Sequence, residues 1–548
     1  MDAERLIKRA AQLKSDRSQH EHIWRECFDF TWPLRSEGFN ADVTNASGAH
    51  NKRAKLLVSD GTDAAGILAA GLMSGLTPSN SRWFELSVEE STDEERNWLS
   101  RSSEIIWRKV HNGNFDAEAF EGAMDSVGGG WFVLFADYAT DDEDQPTGFK
   151  FEHWPMHECY IACSKRNGPA DTLFREYTLT AEQAVSEFGE AAVSSKVREA
   201  FGKEPDKPFR FLHAIYPRTG AKRDAVLAKR LPFASVHVEC DGKTIVRETG
   251  FHEQPVIVPR WARIPGSAYA VGRVFDALPD IKQLNELMFF ENAAAETAIA
   301  PPLIAEDDGV LNPRTMKIGP RKVIVASSVD SVKPLVTGGD FNVSFTKKDE
   351  LERKIRRTLM ADQLQPQDGP AMTATEVHVR VGLIRQMLGP HYGRYQSEYL
   401  QVLVERCFGL AYRAGWLPPV PESLGDRPYT VQYMSPMARA QKLEDVSAMD
   451  RFENTLAAEA EFVPDVLDRY DFDKAVAKRA ELLGVPADVI RTDRQVRALR
   501  DARVAQQKRD QAQASQATAA QALADEKPGV AAASLMQAQA ANAEAAAA

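Results

Sequence analysis

Four short stretches carry residue types that could do chemistry, and each would need a different arrangement to do it. Asp241-Gly242-Lys243-Thr244 matches the end of a phosphate-binding loop. Such a loop needs an earlier glycine at a fixed interval so that backbone amides curl around phosphate, and His237 stands in its place. A hairpin turn accounts for these residues better. Gly128 to Gly130 precedes an apolar, strand-like run instead of following one, so it lacks the strand, turn, helix order that aims a helix N-terminus at a phosphate. It reads as a bend. The run HWPMHECYIAC supplies His153, His157, Cys159 and Cys163, all zinc-ligand types. In an extended strand they would be strung along the chain and would not converge on one tetrahedral centre. Asp141 to Asp144 (DDED) offers oxygens for calcium but lacks the spaced ligands and closing glutamate of a calcium loop. It reads as a solvated hairpin tip. No GxSxG, HExxH or paired CxxC is present, and the eleven histidines have no triad context. The sequence nominates no catalytic residue, no cofactor site and no metal site.

The elements behind these stretches have to come from a chain of 548 residues, enough for several domains at about 150 residues each. With 43% hydrophobic residues it can fill real cores. The 67 basic and 79 acidic residues leave a formal charge of −12, which argues against a protein that wraps DNA by gathering phosphate. Five dispersed cysteines do not make a disulfide framework, and the compartment reads as reducing cytosol. MDAERLIKRA places charges where an export signal needs an apolar core. Ala64 to Leu76 (AAGILAAGLMSGL) is shorter than the ~20 residues that span a bilayer, and its small residues suit a buried helix. No membrane partner is expected.

Periodicity places helices at 2–30, 51–76, 93–112 and 116–126. A β-rich region follows at about 131–262, carried by WFVLFADY, FKFEHW, FRFLHAIY, ASVHVEC, KTIVRE and PVIVPRW and interrupted by helices around 180–201. Asp241-Gly242 is its strongest hairpin signal. Helices return at 275–299 and, after a small β-containing insert, at 345–364, where Thr346 and Asp349 resemble a capping pair. Gln363 to Arg380 breaks at Pro366, Gly369 and Pro370 and restarts at Thr373 with Glu376, leading to a long helix expected to bend at Gly389-Pro390. Further helices span about 436–508. The Ala/Gln-rich tail has helix propensity but little to bury. Charge-rich helices with narrow apolar stripes need neighbours, and head-to-tail closure of copies into a ring would supply them.

In RLIKRAAQLKSDRSQHEHIWRECFDFTWP, GLMSGLTPSNSRWFELSV, GRVFDALPDIKQLNELMFFENAAAETAIAPPLIAEDDGV, LMADQLQPQDGPAMTATEVHVR and GPHYGRYQSEYLQVLVERCF, the chain resembles the portal proteins, or head-to-tail connectors, of short-tailed double-stranded DNA bacteriophages. The resemblance covers nearly the whole length. It implies a mixed α+β, predominantly α-helical subunit with wing, stem, clip and crown, assembling into a ring, typically a dodecamer, around a central channel. The implied map runs 1–272 wing, 273–300 first stem helix, 301–345 clip, 346–364 second stem helix, 365–373 tunnel loop, 374–414 wing spine helix and 415–500 crown. Residues 501–548 form either a helical barrel or a disordered tail.

The resemblance also implies partners: further copies of the chain, the terminase large subunit, the major capsid and scaffolding proteins, tail adaptor or tail tube proteins, and DNA held without sequence preference. The location would be the portal vertex of the virion, with host cytoplasm as the place of assembly. Candidate channel residues are Gln365, Gln367, Asp368 and Met372 of the tunnel loop and Lys347, Lys348, Arg353, Arg356 and Arg357 of the second stem helix. Candidate clip residues for docking partners are Asp307, Asp308, Arg314, Lys317, Arg321 and Lys322.

The acidic balance fits a conduit. Each fixed cation that neutralises a phosphate adds a contact to be broken as DNA advances, so a mostly acidic or neutral channel slides better. The cations of the second stem helix, Lys354 included, would then be paired between subunits or form sparse phosphate-facing rings; a solvated, salt-bridged helix is the plain alternative. A tail or capsid component without a channel, and an enzyme with a non-contiguous site, are the competing functions.

Overall fold

The computed structural model describes residues 2–39, 46–88, 92–166 apart from 142 and 144, 168–220, 227–299, 303–305, 332–334, 341–364, 389, 391–425, 430–433, 436–460, 462–483, 491 and 493–525, with 537 and 539. The chain divides into two compact units, 1–89 with 98–444 and 90–97 with 445–548.

In the larger unit, α1 (Ala3–Asp29) buries Leu6, Ala10, Leu13, Trp24, Cys27 and Phe28 along one stripe. Its Arg17, 4% exposed, donates from Nη1 to the carbonyls of Met156 at 3.0 Å, His157 at 2.5 Å and Cys159 at 3.1 Å. The first two of those carbonyls belong to a 3-10 turn, Met156–Glu158, that splits the expected HWPMHECYIAC strand, and Cys159 follows it. After α2 (Pro33–Glu37), the helix expected at 51–76 forms as two, α3 (Ala46–Arg53) and α4 (Asp60–Leu76). The break has a physical cause: Asn285 accepts from the Leu57 amide at 2.7 Å and donates to the Lys55 carbonyl at 3.3 Å, groups that a continuous helix would keep for itself. α4 buries Ala64, Ala65, Leu68, Ala69, Leu72 and Leu76, as its small-residue composition predicts.

β1 (Phe84–Ser87), α5 (Asp93–His111) and α6 (Phe115–Gly128) lead to the sheets. β2 (Val133–Thr140) and β3 (Pro146–Trp154) form a hairpin, with Asp141 Oδ1 accepting from the Glu143 and Gln145 amides at its tip. β4 (Cys159–Ala162), β5 (Thr172–Thr180), β6 (Pro208–Pro217), β7 (Phe233–Glu239) and β8 (Thr244–Phe251) make a five-stranded antiparallel sheet in sequence order. Helices α7 (Ala181–Phe188) and α8 (Ser195–Lys203) sit between β5 and β6 in the chain. α7 opens on a full capping box between Thr180 and Gln183. The β7–β8 hairpin is present, but its left-handed residue is Lys243, φ 49°, in place of Gly242, and its register shifts after His237. PVIVPRW yields only the short β9 (Val256–Ile257), which adds to β2. β10 (Ala262–Arg263) and β11 (Ala270–Val271) then pair with each other.

α9 (Arg273–Ile299) carries Pro279 inside its length. β12 (Leu303–Ala305) pairs with β13 (Val332–Pro334). α10 (Phe341–Thr358) starts earlier than its expected cap, so Thr346 lies inside the helix; its first turns are carried against α9, where Ser344 Oγ donates to Glu291 at 3.0 Å. It also stops earlier, because Leu359 and Met360 turn into the core, with Met360 at φ 58°, before α11 (Ala361–Leu364). A π-helical turn, Gln396–Leu400, opens into α12 (Gln401–Arg413), and β14 (Thr430–Tyr433) returns to pair with β1. One apolar cluster joins these elements through Leu68, Leu72, Phe132, Ile281, Ile355 and Leu403. Each such side chain contributes roughly 1.5–3 kcal/mol on burial.

The smaller unit holds the part of α13 (Pro436–Ala460) from residue 445 on, then α14 (Phe472–Leu483) and α15 (Asp493–Asp525). Arg479 bridges Asp450 and Glu453, Tyr470 donates to Glu453 at 2.8 Å, and Arg500 holds Asp473 through both oxygens at 2.6 and 2.7 Å. No helix of the described residues is long and apolar enough to cross a membrane.

Candidate functional site

The two long helices α9 and α10 lie antiparallel and are tied at three heights. Lys354 Nζ meets Asp280 at 2.7 Å, Arg273 Nε donates to the Thr358 carbonyl at 2.9 Å, and Ser344 meets Glu291 nearer the other end. Between these ties Leu351, Ile355 and Leu359 pack with Val274, Leu278 and Ile281. The apolar spacing read as a narrow stripe is the stripe that does this. Gly61 of α4 lets Ile281 approach, since a methyl there would meet its side chain at 3.0–3.2 Å.

The cations expected on α10 take different partners. Lys347 pairs with Glu350 at 2.8 Å and holds that carboxyl below its usual range. Lys348 lies 3.8 Å from Glu352, and Arg356 lies 3.5 Å from Asp60 in the first turn of α4. Arg353 donates to the Asp349 carbonyl at 3.0 Å. Lys354, bonded to Asp280, has its ammonium pKa raised by that bond. Arg357 is exposed, and its side chain has no partner among the described residues. Gln365, Gln367, Asp368 and Met372, and likewise Asp307, Asp308, Arg314, Lys317, Arg321 and Lys322, lie outside the described residues.

The far side of the 365–388 segment is anchored to the sheets. The His391 ring stacks on Trp261 at 4.8 Å and 13°, its Nδ1 3.1 Å from the Trp261 carbonyl, and Arg394 donates to the same carbonyl at 2.6 Å. Within the π turn, Glu398 accepts two bonds from Arg260 at 2.9 and 2.5 Å. Arg260 is fully buried and spends its other donors on the carbonyls of Gly168 at 2.9 Å and Ala268 at 3.2 Å. Further along, Arg406, 2% exposed, reaches the Ala136 carbonyl at 3.1 Å, Asp137 at 3.2 Å and Glu253 at 3.3 Å. Arg413 holds Glu253 with two bonds of 2.6 Å. Burial would raise the Glu253 carboxyl pKa, but Arg413 and then Arg406 bring it below the usual range. Asp125, buried, is likewise held low by Arg35 and His153 against the opposing effect of burial.

His153 therefore serves Asp125, at 2.9 Å, while His157 and Cys159 lie beyond the 3-10 turn. Among the described residues no group of three or more His, Cys, Asp or Glu is placed to hold a metal. The buried arginines Arg17, Arg260 and Arg406 escaped sequence reading because a lone arginine in an apolar run carries no pattern. Their partners are 138 to 153 residues away for Arg260–Glu398 and Arg406–Glu253. What this arrangement does is mechanical: it fixes residues 391–413 to the strands and the residues beside them through Trp261, Arg260, Asp137 and Glu253.

A sequence profile described as bacteriophage head to tail connecting protein matches residues 3–490. The chain is 27% identical over 529 residues to the "Probable portal protein" of Bordetella phage BPP-1, covering 94% of this chain and 92% of that one. It is also 27% identical over 542 residues to the "Portal protein" of Salmonella phage epsilon15, covering 95% and 94% respectively.

Proposed function

Because the chain belongs to the family of bacteriophage head to tail connecting proteins, we propose that copies of it close into a ring at one capsid vertex. Double-stranded DNA enters the head through the ring during packaging and leaves by it at infection. The ring is a dodecamer. On this reading α9 and α10 form the stem, residues 301–345 the clip that receives the terminase large subunit and then the tail adaptor, and residues 365–373 the tunnel loop. The observation that supports the stem assignment is the α9–α10 pair itself, rooted in the main core at one end and exposing Phe289 and Phe290 at 61% and 58% farther along. A lone subunit leaves this apolar surface in water, while a neighbour on each side removes it.

The clip candidates Asp307, Asp308, Arg314, Lys317, Arg321 and Lys322 set two acidic positions ahead of four basic ones and suit a partner exchanged during assembly. Gln365, Gln367 and Asp368 give the tunnel loop polar contacts without a cationic grip, which lets DNA slide. Capsid and scaffolding proteins meet the outer surface of the ring. Negative-stain microscopy of the purified chain tests the reading: rings with a central opening are expected, with twelve-fold class averages, and filaments, sheets or monomers overturn it.

A further inference from the structure

The end of α10 is built against its own sequence. Residues 345–364 hold no glycine or proline and read as one unbroken helix, yet the chain bends at Met360, which sits at φ 58°. The bend has the hydrogen bonding of a helix C-terminus: the Met360 amide reaches back to the Arg357 carbonyl at 3.1 Å, the bond that a left-handed closing residue makes. Glycine is the usual residue there, because a side chain in that conformation crowds the carbonyl oxygen that follows it. Among the described residues the other left-handed non-glycine, Lys243, lies in a hairpin turn, where such backbone is ordinary.

Three features hold the bend. Arg273, the first residue of α9, donates from Nε to the Thr358 carbonyl at 2.9 Å and is steadied by Asp276 at 2.8 Å. In a continuous helix that carbonyl would take the amide of residue 362, four positions on, so the guanidinium stands in for the missing turn. Leu364 of α11 rests in a notch on α4 at Gly71, where a methyl group would come within 2.8 Å of both of its terminal carbons. Leu359, Met360 and Ala361 are buried in the main core. Against these stand the left-handed residue and the helical bonds that straightening would restore. Opposed terms at a place where local sequence and tertiary packing disagree mark an element with two accessible arrangements.

We infer that residues 358–364 form a bistable joint with Arg273 as its catch. In the bent state, that of the structure, Arg273 caps α10 and α11 is latched on α4. In the straight state α10 continues to Leu364 as one helix, Thr358 exchanges the guanidinium for the amide of residue 362, and Leu364 leaves Gly71. Arg273 is thus a positioning residue that sets the balance between the two. On the ring reading, on which this consequence rests, α10 delivers the chain to the tunnel loop, so the joint fixes where that loop starts and straightening carries its base away from α4. The joint itself lies within one subunit.

A crosslink within the full chain tests it. G71C with L364C is expected to form a disulfide between the two positions under mild oxidation, identified by peptide mass mapping. Adding R273A should slow its formation by about threefold or more, because a charge-assisted bond is lost from the bent state alone. Adding M360G to that variant should restore most of the rate, because glycine removes the left-handed penalty from the bent state. This restoration separates a joint from ordinary packing, since deleting a buried methionine side chain would loosen a merely packed contact further. Should the R273A chain fail to fold, M360V in the G71C/L364C background is the independent measurement: a β-branched residue resists positive φ, so M360V should slow the crosslink where M360G does not. A G71C/L364C chain that does not crosslink, an R273A rate equal to its parent's, an M360G change that fails to restore it, or equal rates for M360V and M360G overturns the joint. A wild-type chain that never forms rings by microscopy removes the ring reading and leaves the crosslink result standing, whereas normal rings with indifferent crosslinking remove the joint alone.

Discussion

Glu398 and Arg260 form a two-bond ion pair, 2.9 and 2.5 Å, across 138 residues of sequence, with the guanidinium fully buried. The carboxylate sits in a π turn, whose wider ring moves it off the path of an ordinary helix. Removing the acid alone strands a buried charge. Glu398→Ala is therefore expected to cost about 3 kcal/mol or more in urea unfolding, while Arg260→Met with Glu398→Leu recovers most of that loss. Equal losses in the single and double variants would refute the pair as the cause.

His213 and His237 stack directly across β6 and β7 with ring centroids 3.8 Å apart. His213 Nε2 lies 2.8 Å from Ser235 Oγ and His237 Nδ1 lies 3.1 Å from Tyr177 Oη, while the charges near them are the cations Arg175 and Arg247. Burial first, then those cations, hold His237 down to about 3; burial and the neighbouring His237 hold His213 well below the usual value. The unfolded chain binds these protons from about pH 6.5, so stability is complete above that pH and falls as pH drops below it, with a limiting slope of ~1.4 kcal/mol per pH unit for each ring. Unfolding free energy measured at pH 7 and pH 5 should fall by about 4 kcal/mol in the wild type and by about half as much in His237→Phe. The carboxyls of Asp125 and Glu253, both held low, lose their contribution in a separate window below about pH 4.

Gly130 adopts φ 91° and packs on the Val271–Gly272 backbone, while Gly272 packs on the carbonyls of Val127 and Gly128. A methyl group at either position collides with main chain, which has no rotamer to escape into. Gly130→Ala and Gly272→Ala are each expected to destabilise by at least about 3 kcal/mol or to leave the chain insoluble. Gly148→Ala, where no atom stands within 4 Å, is expected to change the unfolding midpoint little.

Shortening residues 366–371 is expected to leave rings intact by microscopy and to reduce packaged DNA or its retention in the head. Normal phage yield from the shortened chain would remove the tunnel loop from the DNA path.

Much of the helical layout was legible in the sequence because amphipathic spacing is a local signal. α1, α9 and the small-residue helix α4 bury the stripes their sequences announce. The errors have non-local causes. The 51–76 helix divides because a side chain 228 residues away, Asn285, takes the backbone groups at its centre. The strand expected through HWPMHECYIAC divides at a turn whose Met156 and His157 carbonyls Arg17 gathers together with that of Cys159. Strand β5 went unread because its burial follows no alternation, three buried residues being followed by mostly half-buried ones, so periodicity had little to report. Of the residues offered for the channel and clip, only the α10 cations fall on described structure, and most of them turn toward acids of their own subunit. Charge counts do not distinguish a cation facing DNA from one occupied at home.

The π turn gives the helix through α12 a built-in change of phase. A π turn closes over one residue more than an α turn, which offsets everything on one side of it by about 100° relative to the other. Residues 391–395 and α12 thus obey two different angular frames, one set by Trp261 and one by Arg406 and Glu253. Deleting a single residue from Gln396–Leu400 would give a straighter, more regular rod. It would also swing His391 and Arg394 off the Trp261 carbonyl, so a local gain in helix geometry would uncouple residues 391–395 from their mount.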